Sequence, residues 1–437
     1  MNDQLNRELS NIYALAHHHP TALSIQAAFD EKTIKKIAKQ YFDENGNPVN
    51  EDIWEHNYKQ LSKAIDTGYK TAYDKHDVKM LYELKNNVAV FSAFKAYRMG
   101  KDVSHLLVDE NGERKSWSEF YKDYKKVDGK YNSQWLAAEY DMATKQAHAA
   151  ADWQVFERDK EVYPNLKYMP SMANEPRVDH EHYYGLVAGI DDPVWNNILP
   201  PSVWGCQCYV EQTYEPANNK VNSEETLPPP KGIVGNPGKT GMIFSPEHPY
   251  VSQSRKDADH VKEAFDILKP ALDKDVITYK GGKGKVEVSL NADPEDYLKN
   301  FDYARTVVDN HKGKMLVRTH LGEGKKPEYE WNGVVGDRTQ MDSSKNDCSK
   351  YVGNSFKDKY GKDSQLRGYN NSFIALDFNG KLDASQVFDI TRRLNGEFKQ
   401  KTLCDYVILR NDKNTVFINR TDAFNEIYDK IKKELLK

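Results

Sequence analysis

Apolar residues recur every three to four positions over the first third of the chain. Trp54, Tyr58, Leu61, Ile65 and Tyr69 form one series; Leu81, Leu84, Val88, Phe91 and Phe94 form a second; Leu136, Tyr140, Ala143, Ala147 and Ala150 form a third. A period of 3.6 residues returns each series to one side of a helix, so the pattern predicts a helical region from about residue 25 to about residue 160. The stretches DENGNPVNED and DENGER interrupt it with Asn, Gly and Pro, the residues of turns.

Further along the pattern changes twice. The segment EPANNKVNSEETLPPPKGIVGNPGKTGMIFSPEHPY is too rich in proline and glycine for regular structure, and reads as a linker or as an extended arm laid on a neighbour. Its GNPGKTG lacks the spacing of a phosphate-binding loop and follows no apolar strand, which excludes nucleotide binding there. Beyond residue 255 helical and strand patterns alternate: SRKDADHVKEAFDILKPAL, VITYK, VEVSL, PEDYLKNFDYARTVVDNH (N-capped near Asn291 or Asp293), MLVRT, YEWNGVV, FIALDF, SQVFDITRRLNGEFKQ, the hairpin YVILR-NDKN-TVFIN, and AFNEIYDKIKKELL. That succession predicts an α+β domain large enough to fold alone.

Composition adds bounds. With 437 residues, 38% apolar and 11% aromatic, the chain is long enough for two or three folded units. No run of about 18 apolar residues is present, and the first residues lack the signature of a signal peptide, so a cytoplasmic, membrane-free protein is expected. Four cysteines do not make a disulfide framework, and a bridge between Cys206 and Cys208 would be strained. Residues 251–437 hold 34 Lys+Arg against 30 Asp+Glu and the preceding residues 28 against 36, an imbalance too slight to specify a polyanion partner.

The most informative stretch is RVDHEHYYGLVAGIDDPVWNNILPPSVWGCQCYVEQ, in which Arg177, His180, Gly185, Asp191-Asp192-Pro193, Trp195, Pro200-Pro201, Gly205, Cys206 and Cys208 stand in one register. It resembles the shared block of the phage Mu F-like minor head proteins, the head-morphogenesis family; Gln207 departs from an arginine frequent between the cysteines. The helical lead-in and FSPEHPY are also similar to that family, so the resemblance covers about residues 1–250. It implies a minor capsid protein of a tailed phage or prophage, present in a small number of copies. It further implies binding to portal and capsid proteins, contact with DNA inside the prohead, and a place in the host cytoplasm during assembly and in the virion head afterwards.

The block also carries possible chemistry. His180, His182, Cys206 and Cys208 together offer four ligands for zinc, although the thiols could simply pack and the histidines hydrogen-bond. Asp191 and Asp192 could bond backbone amides or pair with Arg177. Cys206 as nucleophile with His180 as base is a weaker catalytic reading. The triplet His17-His18-His19 cannot converge on one ion from a helix, since adjacent side chains point about 100° apart.

The rear domain has its own resemblance. KPEYEWNGVVGDRTQMDSS, followed by a helix and the hairpin, is similar to the nuclease core of C-terminal toxins of contact-dependent inhibition systems. Pro327-Glu328 and Asp337 match that pattern, whereas Arg338-Thr339 stands where lysine is usual. It implies catalytic roles for His320, Glu328, Asp337 and Arg338, with Mg²⁺ on the two carboxylates or, without metal, His320 as acid or base and Arg338 on the phosphate of an RNA or DNA. Solvated acidic residues beside an Asn332-Gly333 turn fit the same letters.

The chain is therefore expected to be multi-domain. A mainly α-helical N-terminal head-morphogenesis region (1–165) is followed by the motif block (166–215), a Pro/Gly-rich linker or arm (216–254) and an α+β, nuclease-like C-terminal domain (255–437). A minor head protein is the leading function, and a phage-borne RNase or tRNase effector the alternative.

Overall fold

The computed structural model describes residues 3–14, 29–44, 49–218, 220–341, 347–378, 380–400 and 403–436. It divides into two compact units, Met1–Thr71 with Lys79–Leu268 and Ala72–Val78 with Lys269–Lys437.

The first unit is built on helices α1 (Asp3–Ala14), α2 (Glu31–Glu44), α3 (Glu51–Tyr69), α4 (Lys75–Ser104, its residues 75–78 counted with the second unit), α5 (Trp117–Gly129) and α6 (Leu136–Asp159). All three predicted apolar series lie on helices, and most of their members are buried. Local signals set the helix starts. Asn50 accepts the Ile53 amide at 3.1 Å ahead of α3, and Ser116 and Glu119 form a capping box at α5. A widened π turn, Lys130–Trp135, joins α5 to α6 and buries Tyr131, Asn132 and Trp135. Helices α3 and α6 meet so closely at Gly68 that a Cβ there would lie 2.1 Å from the Thr144 carbonyl oxygen.

After α6 the chain forms a small antiparallel sheet of β1 (Asn165–Met169) flanked by β2 (Val187–Gly189) and β3 (Tyr209–Thr213), with the short helix α7 (Trp195–Ile198) between β2 and β3. The proline-rich segment then runs back over the helices through the short turns α8 (Pro237–Thr240) and α9 (Pro249–Ser252). It is anchored, not a free connector: Ile233, Ile243, Phe244 and Tyr250 are buried, and Phe244 stacks on Phe91 at 3.8 Å. The Asn87 side chain accepts the Ile243 and Phe244 amides and donates to the Phe244 carbonyl, each at 3.0 Å. In GNPGKTG, Asn236 caps α8 and Lys239 lies over the Trp153 ring, so this segment serves packing. Helix α10 (Ala258–Leu268), read from the sequence as the start of the rear domain, belongs to the first unit, where Phe265 meets Trp54 edge-on at 6.2 Å.

At the centre of this unit Lys95 of α4 donates to Oε2 of Glu139 on α6, and both side chains are fully buried. The other oxygen of Glu139 accepts the Tyr13 hydroxyl at 2.6 Å and the Tyr250 hydroxyl at 3.1 Å, while His248 Nε2 lies 3.2 Å from the Tyr13 oxygen. Burial lowers Lys95 and raises Glu139 from their ordinary values, and each partner's charge opposes the other's shift.

The second unit carries a mixed eight-stranded sheet in the order β11-β10-β9-β8-β7-β6-β5-β4. In chain order it contains β4 (Val276–Lys280), β5 (Lys285–Ser289), α11 (Tyr297–Asn310), β6 (Lys314–Val317), β7 (Tyr329–Trp331), β8 (Val334–Gln340), α12 (Cys348–Tyr360), β9 (Ser372–Phe378), α13 (Ala384–Gln400), β10 (Cys404–Asn411), β11 (Asn414–Asn419) and α14 (Phe424–Leu435). Parallel pairs β5/β6, β8/β9 and β9/β10 are interspersed with antiparallel ones. Strand β9 is buried along its whole length, as a central strand covered on both faces must be. Ile374, Leu376 and Phe378 on one face join a core with α12, α13 and α14. The hairpin β7–β8 turns at Asn332-Gly333, both with positive φ, as a two-residue turn requires. Helix α11 begins at Tyr297 without a side-chain cap, later than the expected cap at Asn291 or Asp293; Asn291 instead donates to Lys269 and Asp273. Among the described residues no helix is long and apolar enough to cross a membrane.

Two substitutions test this core. Lys95→Met leaves a buried carboxylate without its cation and is expected to lower stability to urea by about 3–5 kcal/mol, much of it recovered in Lys95→Met/Glu139→Leu. Gly68→Ala is expected to cost about 1–3 kcal/mol, because a methyl group there overlaps backbone; a loss below about 0.5 kcal/mol would contradict the close approach of α3 and α6.

Candidate functional site

The motif block builds one compact piece of structure. Strand β1 alternates inward and outward, so Leu166 and Tyr168 point into a core completed by Tyr183, Leu186, Trp195, Cys206 and Cys208. Trp195 is fully buried and donates Nε1 to the Gly189 carbonyl at 2.8 Å. Gly185 holds φ +78°, a left-handed conformation that favours glycine, where the chain turns into β2. The Pro201 carbonyl, at a cis Pro200–Pro201 bond, accepts Gln146 Nε2 at 2.8 Å, and the same amide nitrogen reaches the Val234 carbonyl at 3.0 Å. Asp192 accepts the Val194 amide at 2.9 Å, as one of the two sequence readings has it. The other reading is corrected: Arg177 does not pair with Asp191 or Asp192. It grips Asp179 with Nε at 3.0 Å and a terminal nitrogen at 2.7 Å, because the two residues share one turn at the start of the 3-10 segment Val178–Tyr183. Asp191 instead lies 3.5 Å from Lys160.

That 3-10 segment brings His180 against the end of the block. His180 Nδ1 lies 3.6 Å from Cys206 Sγ, 3.5 Å from Cys208 Sγ and 3.4 Å from the Tyr168 hydroxyl oxygen. Ligand atoms of His180, Cys206 and Cys208 all fall within 4.8 Å of one another, and the three side chains are largely buried. His182, proposed with them from the sequence, stands apart: it is exposed and its ring lies tilted against Tyr183, 3.7 Å between centroids. Neighbouring residues of a tight turn face different ways, so one histidine turns inward and the other outward. The Cys206 hydrogen bond, with smaller help from His180 and Tyr168, lowers Cys208 to about 5, and Cys206 is correspondingly raised. Cys206, Gln207 and Cys208 also line a pocket of about 490 Å³ shared with Phe156, Met172 and Pro201. Tyr168 was the residue sequence reasoning missed; its signal was the alternation of β1. His17-His18-His19 lie outside the described residues.

A second cluster lies in the rear unit, at the β7–β8 hairpin. Alternation along β8 sends neighbours to opposite faces. Asp337 turns to α12, where Lys359 Nζ lies 2.6 Å from its Oδ2, and Arg338 turns to Asn300 of α11, at 2.9 Å. Asp337 also accepts the Glu328 amide at 3.0 Å. Arg338 and Arg410 both reach Asp377, at 3.4 and 2.9 Å, so Arg338 is held within an ion-pair network. The Glu328 Oε2 atom is buried without a hydrogen-bond partner, with Arg338 Nε 4.0 Å away. Among the described residues His320 pairs elsewhere: it is half exposed, with Nδ1 3.8 Å from Asp293. The cation beside Asp337 is thus Lys359, which sequence reasoning missed because it lies 22 residues further on, in a helix that went unrecognised.

The comparisons with known proteins bear on part of the chain. Over 68 residues it is 36% identical to the Mu-like prophage FluMu F protein of Haemophilus influenzae. The aligned stretch is 16% of this chain and 16% of that protein, so the chain covers far less than two thirds of that relative. This partial similarity links the chain to the F-like proteins of Mu-like prophages. No protein-family model matches the chain, and no solved structure does.

Glu328 yields a test of the rear cluster. Burial, and then the charge of Asp337, push it up to about 7 against the opposing Arg338 and Lys359. A carboxyl raised in the folded chain contributes stability that is complete below its unfolded pKa and is lost as pH rises through about 7. Glu328→Gln is therefore expected to be more stable than the wild type at about pH 8, by on the order of 2 kcal/mol, and nearly equal to it at about pH 4. Urea titrations at the two pH values measure the gap, and an equal gap at both would refute the assignment.

Proposed function

We propose that this chain is a minor head protein of a Mu-like tailed phage or prophage, acting in head assembly. The observation that carries the reading is the 36% identity to the FluMu F protein, supported by the Arg177-to-Cys208 block. In that block the matched residues do structural work: Trp195 fills the core, Gly185 makes the turn and Pro201 accepts from α6. In this reading the portal and capsid proteins are its partners, a few copies enter each prohead, and it passes from the host cytoplasm into the head interior, where contact with packaged DNA follows. Mass spectrometry of purified proheads and virions from an induced host is expected to find the full chain at a small fraction of the major capsid protein, and a tagged full chain to retain the portal. Absence from both particles would overturn the reading.

A second reading concerns the rear unit, and the buried, unpartnered Glu328 oxygen beside Asp337 and Lys359 favours it. It is a phosphodiesterase acting on RNA, with tRNA as first substrate. Glu328 and Asp337 would hold Mg²⁺, which when bound supplies charge for the scissile phosphate; two carboxylates with substrate oxygens and waters suit that ion. Lys359 holds Asp337 in place and offsets negative charge next to it. The full chain incubated with total tRNA and with plasmid is expected to cleave the tRNA only with Mg²⁺, and Glu328→Ala/Asp337→Ala to lose at least about 100-fold of that rate. Equal cleavage by wild type and variant would count against it, as would none by either.

A further inference from the structure

We propose that His180, Cys206 and Cys208 form a binding site for one zinc ion, with solvent completing a fourth position. The distances carry the argument. A tetrahedral zinc ion with Zn–S near 2.3 Å and Zn–N near 2.0 Å sets its sulfur and nitrogen ligands about 3.5 Å apart. His180 Nδ1 stands 3.6 and 3.5 Å from the two sulfurs. An ion can therefore enter with little movement of the three side chains.

The surroundings suit the same ion. Cys208 donates its backbone amide to Cys206 Sγ at 3.4 Å, a donor suited to a metal-bound thiolate, while the Tyr168 hydroxyl, 3.4 Å from His180 Nδ1, has to turn from that nitrogen when an ion takes it. Thiolate and imidazole are ligands that suit zinc and not magnesium or calcium, and of the two carboxylates flanking His180 in sequence Asp179 is occupied by Arg177 and Glu181 is exposed. The pocket lined by Cys206 and Cys208 gives solvent a path to the sulfurs. Bound to zinc, both cysteines are thiolates, and any proton they carried passes to solvent. The chain gains a tie between the 3-10 segment and the start of β3, across a region with only a three-stranded sheet of its own.

The full-length chain, purified under reducing conditions, incubated with zinc sulfate and desalted, is expected to retain about one zinc per chain by elemental analysis. Co²⁺ in place of zinc is expected to give the intense near-ultraviolet absorption of sulfur-to-cobalt charge transfer together with visible bands of tetrahedral cobalt. Both measurements use the wild type, so they stand whether or not a variant folds. Cys206→Ser, Cys208→Ser and His180→Ala are each expected to cut zinc content at least ten-fold, whereas His182→Ala retains it. A metal-free wild type, cobalt bound without the charge-transfer band, zinc retained by Cys206→Ser/Cys208→Ser, or a Cys206–Cys208 disulfide in protein isolated anaerobically would each overturn the site.

Discussion

The first unit depends on a lysine and a glutamate buried away from its surface. Lys95 and Glu139 are fully buried, and charges in that position are stable only when every polar atom around them is met. The two oxygens of Glu139 are met by Lys95, Tyr13 and Tyr250, which lie on α4, α1 and the returning arm, while Glu139 itself lies on α6. Four segments spread over some 240 positions of sequence thus have to arrive together. Apolar packing alone tolerates sliding and rotation; a desolvated ion pair does not, so it fixes helix register as well as helix contact.

This constraint explains why the proline-rich segment is an arm. Its prolines and glycines prevent regular structure, and that much is visible in the letters. What holds it down is not periodic: Phe244 on Phe91, the Asn87 amide on three backbone groups, and Tyr250 on Glu139. A similar device fastens the motif block, where Gln146 of α6 bonds both Pro201 and Val234, joining block and arm through one side chain. The block's resemblance to head-morphogenesis proteins therefore rests on residues that set a shape, and the His180–Cys206–Cys208 cluster sits inside that shape.

Much of the architecture was legible because it is periodic. The helices α3, α4 and α6, the Asn332-Gly333 hairpin and the buried strand β9 all announce themselves by spacing or turn residues. Helix α12 escaped although Cys348, Val352, Phe356 and Tyr360 recur every four positions, because Gly353 and a run of polar residues dilute the stripe. Missing it meant missing Lys359. Convergence in space was only partly legible: of the four candidate ligands named from the sequence three come together, since His182 leaves the turn on the other side from His180. For Asp337 and Arg338 the divergence was legible, as adjacent strand residues point to opposite faces.

The two acidic groups of the rear unit show how architecture and chemistry separate within one cluster. Asp377 is nearly inaccessible, yet Arg338 and Arg410 bracket it and Arg410 continues to Asp302 at 3.1 Å, so its charge is fully answered within the fold. Adding a ligand there would break bonds already made. Glu328 is different: one oxygen is buried without a hydrogen bond, its proton is retained to about pH 7, and a second carboxylate with its own lysine lies alongside. The free energy held in that unmet group is available to whatever cation or donor can reach it, and the fold derives no packing benefit from leaving it unmet. Burial alone would favour an apolar side chain at position 328, so the carboxylate there costs the sheet stability that such a side chain would not.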